Sequence, residues 1–362
     1  MANLKALLEE MIERNASDLH LTAGVPAQLR VDGDIVPSRS EPLTPEAVTQ
    51  LIYSILNEDQ KRRFEKEKEL DLSFGITGLS RFRANVFMQR GTIAAAVRQI
   101  PFQIMSFEEL GLPSAIKEIS SKQKGLVLVT GPTGSGKTTT LASILNKINE
   151  DRQVHIVTVE DPIEYVHLHK KSIVNQREVE ADTKSFPAAL KYILRQDPDV
   201  VLIGEMRDRE TMSSALTIAE TGHLAFSTLH TNSAYESINR IVDSYPQDQR
   251  NAILSQIAFV LEAVVCQQLV ARSSGKGRVM VAEVLICTPA IRAVIREGKT
   301  HQLYGLIQAG QKYGMQTMNM ALMAAYQKRQ ISMQVALESS SDSKELEDML
   351  GRATVAVASA RR

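Results

Sequence analysis

Residues 131–138 have the types and spacing of a phosphate-binding loop. They read Gly-Pro-Thr-Gly-Ser-Gly-Lys-Thr and match the pattern GxxxxGK(S/T) at every fixed position. An apolar run, residues 126–129, precedes the loop and apolar residues at helical spacing follow it, so we expect a strand to enter and an amphipathic helix to leave. Backbone N–H groups and the positive end of that helix would then converge on phosphate. The motif therefore predicts a nucleoside triphosphate, ATP with Mg²⁺, as the ligand.

Two side chains of this loop have direct chemical roles. The Lys137 ammonium would reach the β and γ phosphates as part of the catalytic machinery, and the Thr138 hydroxyl would hold magnesium. The residues predicted to contact the nucleotide here are Gly131, Pro132, Thr133, Gly134, Ser135, Gly136, Lys137, Thr138 and Thr139. A glycine turn that arose by chance is the alternative, and the strand and helix patterns on either side argue against it.

Polar residues that directly follow apolar runs are the next candidates, because ligands of open α/β sheets bind beyond the carboxyl ends of the strands. Residues 200–203 are apolar and are followed by Gly204 and Glu205. A carboxylate there could anchor magnesium through water or orient the attacking water. We therefore predict Glu205 as the first catalytic carboxylate and as a magnesium ligand. A solvated acid that caps a helix is the alternative.

Two rival carboxylates and one histidine follow other predicted strands. Glu160 ends one apolar run and Glu164 comes close behind, so either could be the general base, unless they form an exposed acidic face. His230 comes after the run that begins at residue 224. A neutral imidazole there could sense the γ phosphate and signal to a neighbouring subunit, and a structural role for the ring is the alternative.

Three arginines in the first hundred residues are candidates for contacts to phosphate. Arg81 and Arg83 share one face of a predicted strand, and Arg98 lies on the next strand. An arginine that reaches nucleotide bound by an adjacent subunit would act as an arginine finger. A solvated sheet face explains the same residues equally well.

The composition excludes several classes of protein. The 362 residues are 43% hydrophobic and 23% charged, as in soluble chains of two or three domains. The 42 basic residues balance 42 acidic ones and Trp is absent, so nucleic acid is not expected as a partner. The two cysteines cannot build a disulfide framework or a four-cysteine zinc site. No signal peptide or membrane-spanning run is predicted, so we expect a cytoplasmic protein.

The elements that must position these residues fall into four segments. Residues 1–100 mix helical and alternating patterns and predict a small α+β domain, with a hairpin turn at residues 32–33. Residues 101–113 break both patterns and are predicted to be a linker. Residues 114–338 alternate short apolar runs with helices, which predicts a doubly wound parallel sheet with a helical C-terminal part. The tail, residues 339–362, is predicted to be flexible.

Two further expectations concern the second half of the chain. The apolar stretch that starts at residue 249 predicts one helix to residue 270, and the chain after about residue 275 is predicted to be mostly helical. On a predicted helix that begins near residue 290, Ile291 and Ile295 lie on an apolar face, and Arg292 is expected at solvent or at a partner.

Four segments in chain order resemble the motifs of secretion and type IV pilus ATPases. Residues 131–138, 158–164, 204–208 and 228–232 are similar to the Walker A motif, Asp box, Walker B motif and His box of that family. Residues 16–20 and 30–33 are similar to its N-terminal domain. The resemblance therefore covers nearly the whole chain, from the N-terminal region to about residue 329. It implies an α/β fold in which a PAS-like N-terminal domain precedes a RecA-like P-loop ATPase domain. It also implies a homohexameric ring.

One C-terminal segment indicates a subgroup. Residues 290–299 resemble a motif of the family's retraction ATPases, apart from Ala293-Val294. We do not expect the extra N-terminal domains and four-cysteine metal insertion that assembly and secretion members usually carry. The resemblance implies a motor that retracts type IV pili in twitching motility. Its implied partner is the inner-membrane platform protein, which it would meet at the cytoplasmic face of the inner membrane. Pilus assembly or type II secretion, nucleic-acid translocation, and nucleotide-dependent regulation without sustained hydrolysis are the alternatives.

Overall fold

The structure is a computed structural model that describes residues 3–76, 78–100 and 103–360. Its internal contacts divide the chain into two compact units. The first runs through Gln103 and includes Pro162–Val166, whereas the second comprises Ile104–Asp161 and continues from His167. The boundary after Gln103 falls inside the predicted linker. The assignment of the short segment Pro162–Val166 to the first unit was not predicted.

The first unit contains a six-stranded sheet in the order β3-β2-β1-β6-β5-β4, with every neighbouring pair antiparallel. Its strands are β1 (Asp18–Leu21), β2 (Gln28–Val31), β3 (Asp34–Pro37), β4 (Glu69–Ile76), β5 (Ser80–Gln89) and β6 (Thr92–Ile100). The hairpin predicted at residues 32–33 joins β2 to β3. Asp32 and Gly33 both have positive φ, 51° and 98°, which is the conformation that a tight two-residue hairpin turn requires.

Three helices cover the first sheet: α1 (Leu4–Glu13), α2 (Pro45–Tyr53) and α3 (Glu58–Glu67). Apolar residues at helical spacing, such as Leu8 and Met11 of α1, are buried against alternating residues of the strands, such as Phe82 and Val86 of β5. This is the α+β arrangement predicted for residues 1–100.

The second unit contains a seven-stranded sheet in the order β13-β12-β7-β11-β10-β8-β9. Its strands are β7 (Gly125–Thr130), β8 (His155–Glu160), β9 (Ile173–Glu178), β10 (Val200–Ile203), β11 (Leu224–Leu229), β12 (Leu261–Ala271) and β13 (Arg278–Ile286). Every neighbouring pair is parallel except β12 with β13. All residues of β7, β10 and β11 are buried, as expected for strands that have helices on both faces. The carboxyl ends of β7, β8, β10 and β11 therefore meet at one edge of the sheet.

Helices of the second unit lie on both faces of its sheet and continue into the C-terminal part. They are α4 (Phe107–Leu110), α5 (Ala115–Ser120), α6 (Lys137–Asp151), α7 (Phe186–Ile193), α8 (Arg209–Glu220), α9 (Ala234–Asp243), α10 (Arg250–Val260), α11 (Pro289–Arg296), α12 (Leu303–Ala309), α13 (Met318–Gln327), α14 (Met333–Ser339) and α15 (Ser343–Ala360). Two short 3₁₀ turns, Thr300–Gln302 and Gln311–Tyr313, flank α12. Across the described residues, every helix is too short or too polar to cross a bilayer.

Two expectations about secondary structure were wrong. The single helix predicted over residues 249–270 is a helix, α10, followed by the strand β12. The chain after residue 275 is not helical at first, because β13 pairs with β12 along nine residues. Both strands are rich in apolar residues, most of them buried in the sheet, and such runs do not reveal by their period whether they are strands or helices.

The predicted linker and the tail that was predicted to be flexible are both partly packed. Residues 101–102 of the predicted linker lie outside the described residues, but Phe107, later in that linker, is buried in the core of the second unit. The tail prediction was also wrong for its first part, because α15 buries Leu346 and Leu350 against Leu322 of α13. The last two residues of the tail, 361–362, lie outside the described residues.

The Arg292 prediction was wrong as well. Its guanidinium donates to the carbonyl oxygens of Ala258 (2.9 Å) and Phe259 (3.0 Å) at the end of α10, and it pairs with the Glu262 carboxylate at 2.5 Å. Arg292 therefore ties α11 to the α10–β12 junction instead of facing solvent. Ile291 and Ile295 are buried as predicted.

Candidate nucleotide-binding site

The turn between β7 and α6 has the backbone conformation that the loop motif predicts. Gly131, Gly134 and Gly136 have φ values of 139°, 76° and 87°, a region that L side chains rarely adopt. A Cβ atom on Gly131 would lie 2.3 Å from the backbone oxygen of Gln267, so only glycine fits there. All nine loop residues predicted as ligands, 131–139, lie in this turn and in the first turn of α6.

The start of α6 brings backbone N–H groups, an ammonium and a hydroxyl close together. Its N-cap residue, Gly136, has no side chain to cap the helix, so the first-turn N–H groups can serve an anion. Lys137 folds back over the turn, where its ammonium donates to the carbonyl oxygens of Gly131 (2.9 Å) and Pro132 (3.0 Å). Thr138 follows in the first helical turn, half-buried, with a hydroxyl of the type that binds Mg²⁺ beside phosphate oxygens and water.

Two neighbouring strands hold the turn from behind, and the sequence analysis did not identify this support. On β12, the Gln267 side-chain amide donates to the Ser135 carbonyl oxygen at 2.7 Å. On β13, Arg278 donates to the Gly134 carbonyl oxygen at 3.4 Å. A polar residue within the apolar run of β12 was the available signal, because a buried amide needs a hydrogen-bond partner.

Glu205 and His230 meet at the carboxyl ends of β10 and β11. The His230 Nε2 atom lies 3.3 Å from a Glu205 carboxylate oxygen, and Arg207 pairs with the same oxygen at 2.7 Å. Burial raises the pKa of the Glu205 carboxyl, but the hydrogen bond and charge of Arg207, with the charges of His230 and Lys137, outweigh it and lower the pKa below its usual value. Glu205 is therefore ionised at neutral pH, as a magnesium anchor or a water-orienting group must be.

Hydrogen bonds between the two strand ends fix this pair. The Thr228 hydroxyl donates to the Gly204 carbonyl oxygen at 2.6 Å, and the Met206 N–H donates to the Thr228 carbonyl oxygen at 3.2 Å. Gly204 has little free space around it, since a Cβ atom there would lie 3.2 Å from the Val159 carbonyl oxygen of β8. The glycine that separates Glu205 from its apolar run thus lets β8 and β10 approach.

Glu160 lies at the neighbouring strand end in a different environment. It is 6% exposed, and one carboxylate oxygen accepts hydrogen bonds from the Thr158 hydroxyl (2.6 Å) and the Gln176 amide (3.1 Å). The carboxylate is therefore anchored within the sheet edge and is not part of an exposed acidic face. Its assignment as a general base stays a prediction.

Four other predicted residues belong to the first unit. Glu164 is exposed in the Pro162–Val166 segment. Arg81 and Arg83 share one face of β5, as predicted, and Arg83 lies 3.7 Å from Asp71. Arg98 donates to Asp18 through Nε at 2.9 Å and Nη2 at 2.8 Å, so its guanidinium is already engaged within its own sheet. The contribution of these residues to a nucleotide site stays a prediction.

A second histidine, His223, comes directly before β11 and therefore lies at the opposite edge of the sheet from His230. The Nδ1 atom of His223 lies 3.0 Å from the Thr221 hydroxyl and 3.2 Å from the Ile218 carbonyl oxygen, at the end of α8. Among the described residues there is no group of three His, Cys, Asp or Glu side chains that could hold a metal by itself. One hydroxyl and one carboxylate, Thr138 and Glu205, suit Mg²⁺ that is also held by phosphate and water.

Comparisons with known proteins agree on one family. The model of the family described as "Type II/IV secretion system protein" matches residues 1–336. The type IV pilus retraction ATPase PilT of Pseudomonas aeruginosa is 48% identical over 93% of this chain and 97% of its own, and the type IV pilus ATPase PilU of the same organism is 41% identical over 95% and 90%.

Solved structures agree with the sequence matches. The crystal structure of the pilus retraction motor PilT with bound ADP has a TM-score of 0.90 at 49% identity and covers 96% of this chain and 100% of its own. The ATPase DotB of Legionella pneumophila has a TM-score of 0.80 at 28% identity, with 92% and 93% covered. The predicted α/β fold with a RecA-like second unit is confirmed by these likenesses.

Proposed function

Because the chain belongs to the type II/IV secretion system protein family, we propose that it is an ATP-hydrolysing motor that powers type IV pilus retraction. One observation carries the proposal. A turn of the phosphate-binding type, which includes Lys137 and Thr138, lies in the same unit as an ionised Glu205 that contacts His230. The names of the PilT and PilU relatives supply the pilus, and the bound ADP of the PilT structure supports a nucleotide at this turn.

Nucleotide binding would use the backbone first. The N–H groups of the turn and of the first turn of α6 would donate to phosphate, and the helix end would add positive charge. Lys137 would exchange its two carbonyl acceptors for phosphate oxygens, a gain because a hydrogen bond between charged groups is stronger than one to a neutral carbonyl. Thr138 and Glu205 would hold Mg²⁺, which neutralises phosphate charge when it is bound.

Glu205 and His230 would act on the hydrolytic step. An ionised Glu205 can orient the attacking water, and Arg207 keeps that carboxylate ionised. His230, 3.3 Å away, can exchange its contact with Glu205 for one with the γ phosphate, and so report whether the phosphate is present. Glu160 and Glu164 are the rival bases.

Motion would follow from a difference in affinity. Nucleotide can shift the arrangement of units and subunits only by binding one arrangement more tightly, with a coupling of roughly 1–3 kcal/mol per site. We propose a homohexameric ring in which Arg81, Arg83 or Arg98 of one subunit approaches the nucleotide of its neighbour. Sequential closure of such a ring would act on an inner-membrane platform protein from the cytoplasmic side and withdraw pilin subunits.

The hydrolytic assignment is tested by carboxamide substitutions. Glu205→Gln keeps the shape of the side chain but removes its charge, so it should retain ATP binding and lose most turnover. Glu160→Gln and Glu164→Gln test the rival bases in the same assay. Glu210→Gln, an exposed residue at the start of α8, is the matched control and should keep parental turnover. Parental turnover in Glu205→Gln would reject the role of Glu205.

The direction of the motor is tested in cells. Deletion of the gene should leave abundant pili that no longer retract, which separates retraction from pilus assembly. Absent pili would instead favour the assembly function, and unchanged twitching motility would contradict both.

A further inference from the structure

Gln267 contacts the phosphate-binding turn at two places. Its side chain, on β12, is 1% exposed, and its Nε2 atom donates to the Ser135 carbonyl oxygen at 2.7 Å. Its backbone oxygen lies where a Cβ atom on Gly131 would be only 2.3 Å away. This one residue of β12 thus supports both ends of the glycine turn.

The same position leaves two polar atoms without partners. Gln267 Oε1 and Ser135 Oγ are both buried, and neither has a hydrogen-bond partner among the described residues. An unpaired buried polar atom destabilises a fold, and apolar side chains of similar size would avoid that cost. A long amide at this position is therefore explained better by the hydrogen bond that its Nε2 atom makes than by packing.

That hydrogen bond fixes the direction of a phosphate donor. The carbonyl oxygen of Ser135 and the N–H of Gly136 belong to one planar trans peptide, so they point in opposite directions. Holding the oxygen against β12 aims the N–H away from β12, to the open side of the turn. Gly136 has a φ of 87° and, as glycine, a backbone that rotates easily, so this peptide needs an external constraint.

We propose that Gln267 is a positioning residue that aims the Gly136 N–H at the nucleotide phosphates and so favours phosphorylated ligands over the free nucleoside. The proposal rests on the proposed use of ATP at this turn. It assigns Gln267 no contact with the nucleotide, because the side chain lies behind the turn.

Two substitutions separate this role from packing. Gln267→Met keeps the length of the side chain but cannot donate, and Gln267→Glu keeps its shape but places a carboxylate against the Ser135 oxygen. The dissociation constant of ADP with Mg²⁺ should rise about tenfold in Gln267→Met, the effect of one lost hydrogen bond with an unsatisfied carbonyl, and further in Gln267→Glu. Inhibition by adenosine, which has no phosphate, should not change.

Steady-state kinetics give a second readout. The positioned N–H serves phosphate before and during hydrolysis, so the KM for ATP should rise while kcat changes by no more than about threefold. Hydrogen exchange of the 131–138 segment should be faster in Gln267→Met than in the parent. Gln268→Met, a half-buried neighbour on the opposite face of β12, is the control and should keep parental values.

The outcomes are distinguishable. A parent that binds no nucleotide would overturn the proposed function and this inference together. A parent that binds ADP, with Gln267→Met and Gln267→Glu binding it equally well, would overturn the inference alone. Equal weakening of ADP and adenosine would also overturn it, because the effect would then be a general loss of structure. If Gln267→Glu does not fold, Gln267→Met decides.

Discussion

Acid should destabilise this protein through one buried imidazole, that of His167. The side chain is 8% exposed, and its Nδ1 atom has no hydrogen-bond partner among the described residues. Burial, with a smaller contribution from the charge of Lys170, lowers the pKa of the ring from 6.5 to about 4. The backbone N–H of His167 donates to the Gln176 side-chain oxygen, and the Gln176 amide donates to Glu160, so a charge on the ring would arise close to the residue that supports a candidate general base.

The size of the effect follows from the two pKa values. In the folded chain the ring stays neutral down to pH of about 4, whereas in the unfolded chain it binds a proton near pH 6.5. Between these values the unfolded state holds more protons, so the free energy of unfolding falls as the pH falls. The linkage relation gives a loss of about 2 kcal/mol by pH 5 and about 3 kcal/mol by pH 4, relative to pH 8.

The assay is urea unfolding, followed by far-ultraviolet circular dichroism, at several pH values from 8 to 5. His167→Leu removes the titrating group, so its stability should fall less than that of the parent by about 2 kcal/mol over this range. Lys170→Met should give an intermediate slope, because burial, the larger cause of the low pKa, remains. A change in packing shifts the free energy of unfolding equally at every pH, so it does not affect the slope of that free energy against pH. Equal slopes for the parent and His167→Leu would refute the reasoning.

Two further predictions concern the catalytic edge. Arg207→Ala removes a hydrogen bond and a charge that lower the pKa of Glu205, while burial still raises that pKa. The acid limb of the pH profile of ATP turnover should therefore move to higher pH. A limb that does not move would show that Glu205 is not the group that titrates there. Gly204→Ala places a Cβ 3.2 Å from the Val159 carbonyl oxygen and displaces the Glu205 segment. Turnover should fall by about tenfold or more, as expected for a misplaced catalytic group, and parental turnover with a parental melting temperature would contradict this.

The sequence was most informative where chemistry restricts residue type. The loop at 131–138 needs glycines at positive φ, a lysine and a hydroxyl, and the structure has them at those positions. The strands that end at Glu160, shortly before Glu205 and directly before His230 were also predicted, because short apolar runs alternate with helices in a parallel sheet. Local rules of backbone and packing decide these features.

Features that depend on distant partners could not be predicted. The run from residue 261 is mostly apolar, and only its pairing with β7 and β13 makes it a strand instead of a continuation of α10. Arg98 meets Asp18 only because β6 lies beside β1, and Arg292 meets Glu262 only because α11 packs near the start of β12. Tertiary neighbours, which no local pattern encodes, select these states.

The central claim is that the 131–138 turn binds the phosphates of a nucleotide that the protein hydrolyses. Steady-state ATP hydrolysis by purified Lys137→Ala protein tests this claim most directly. The parent should hydrolyse ATP with Mg²⁺, and the variant should lose about a hundredfold or more of that rate, the scale of removing one charged group from the transition state. Lys147→Ala, at a half-buried lysine of the same helix that pairs with Asp151, is the control and should keep the parental rate. Hydrolysis by Lys137→Ala at the parental rate would contradict the nucleotide-driven motor.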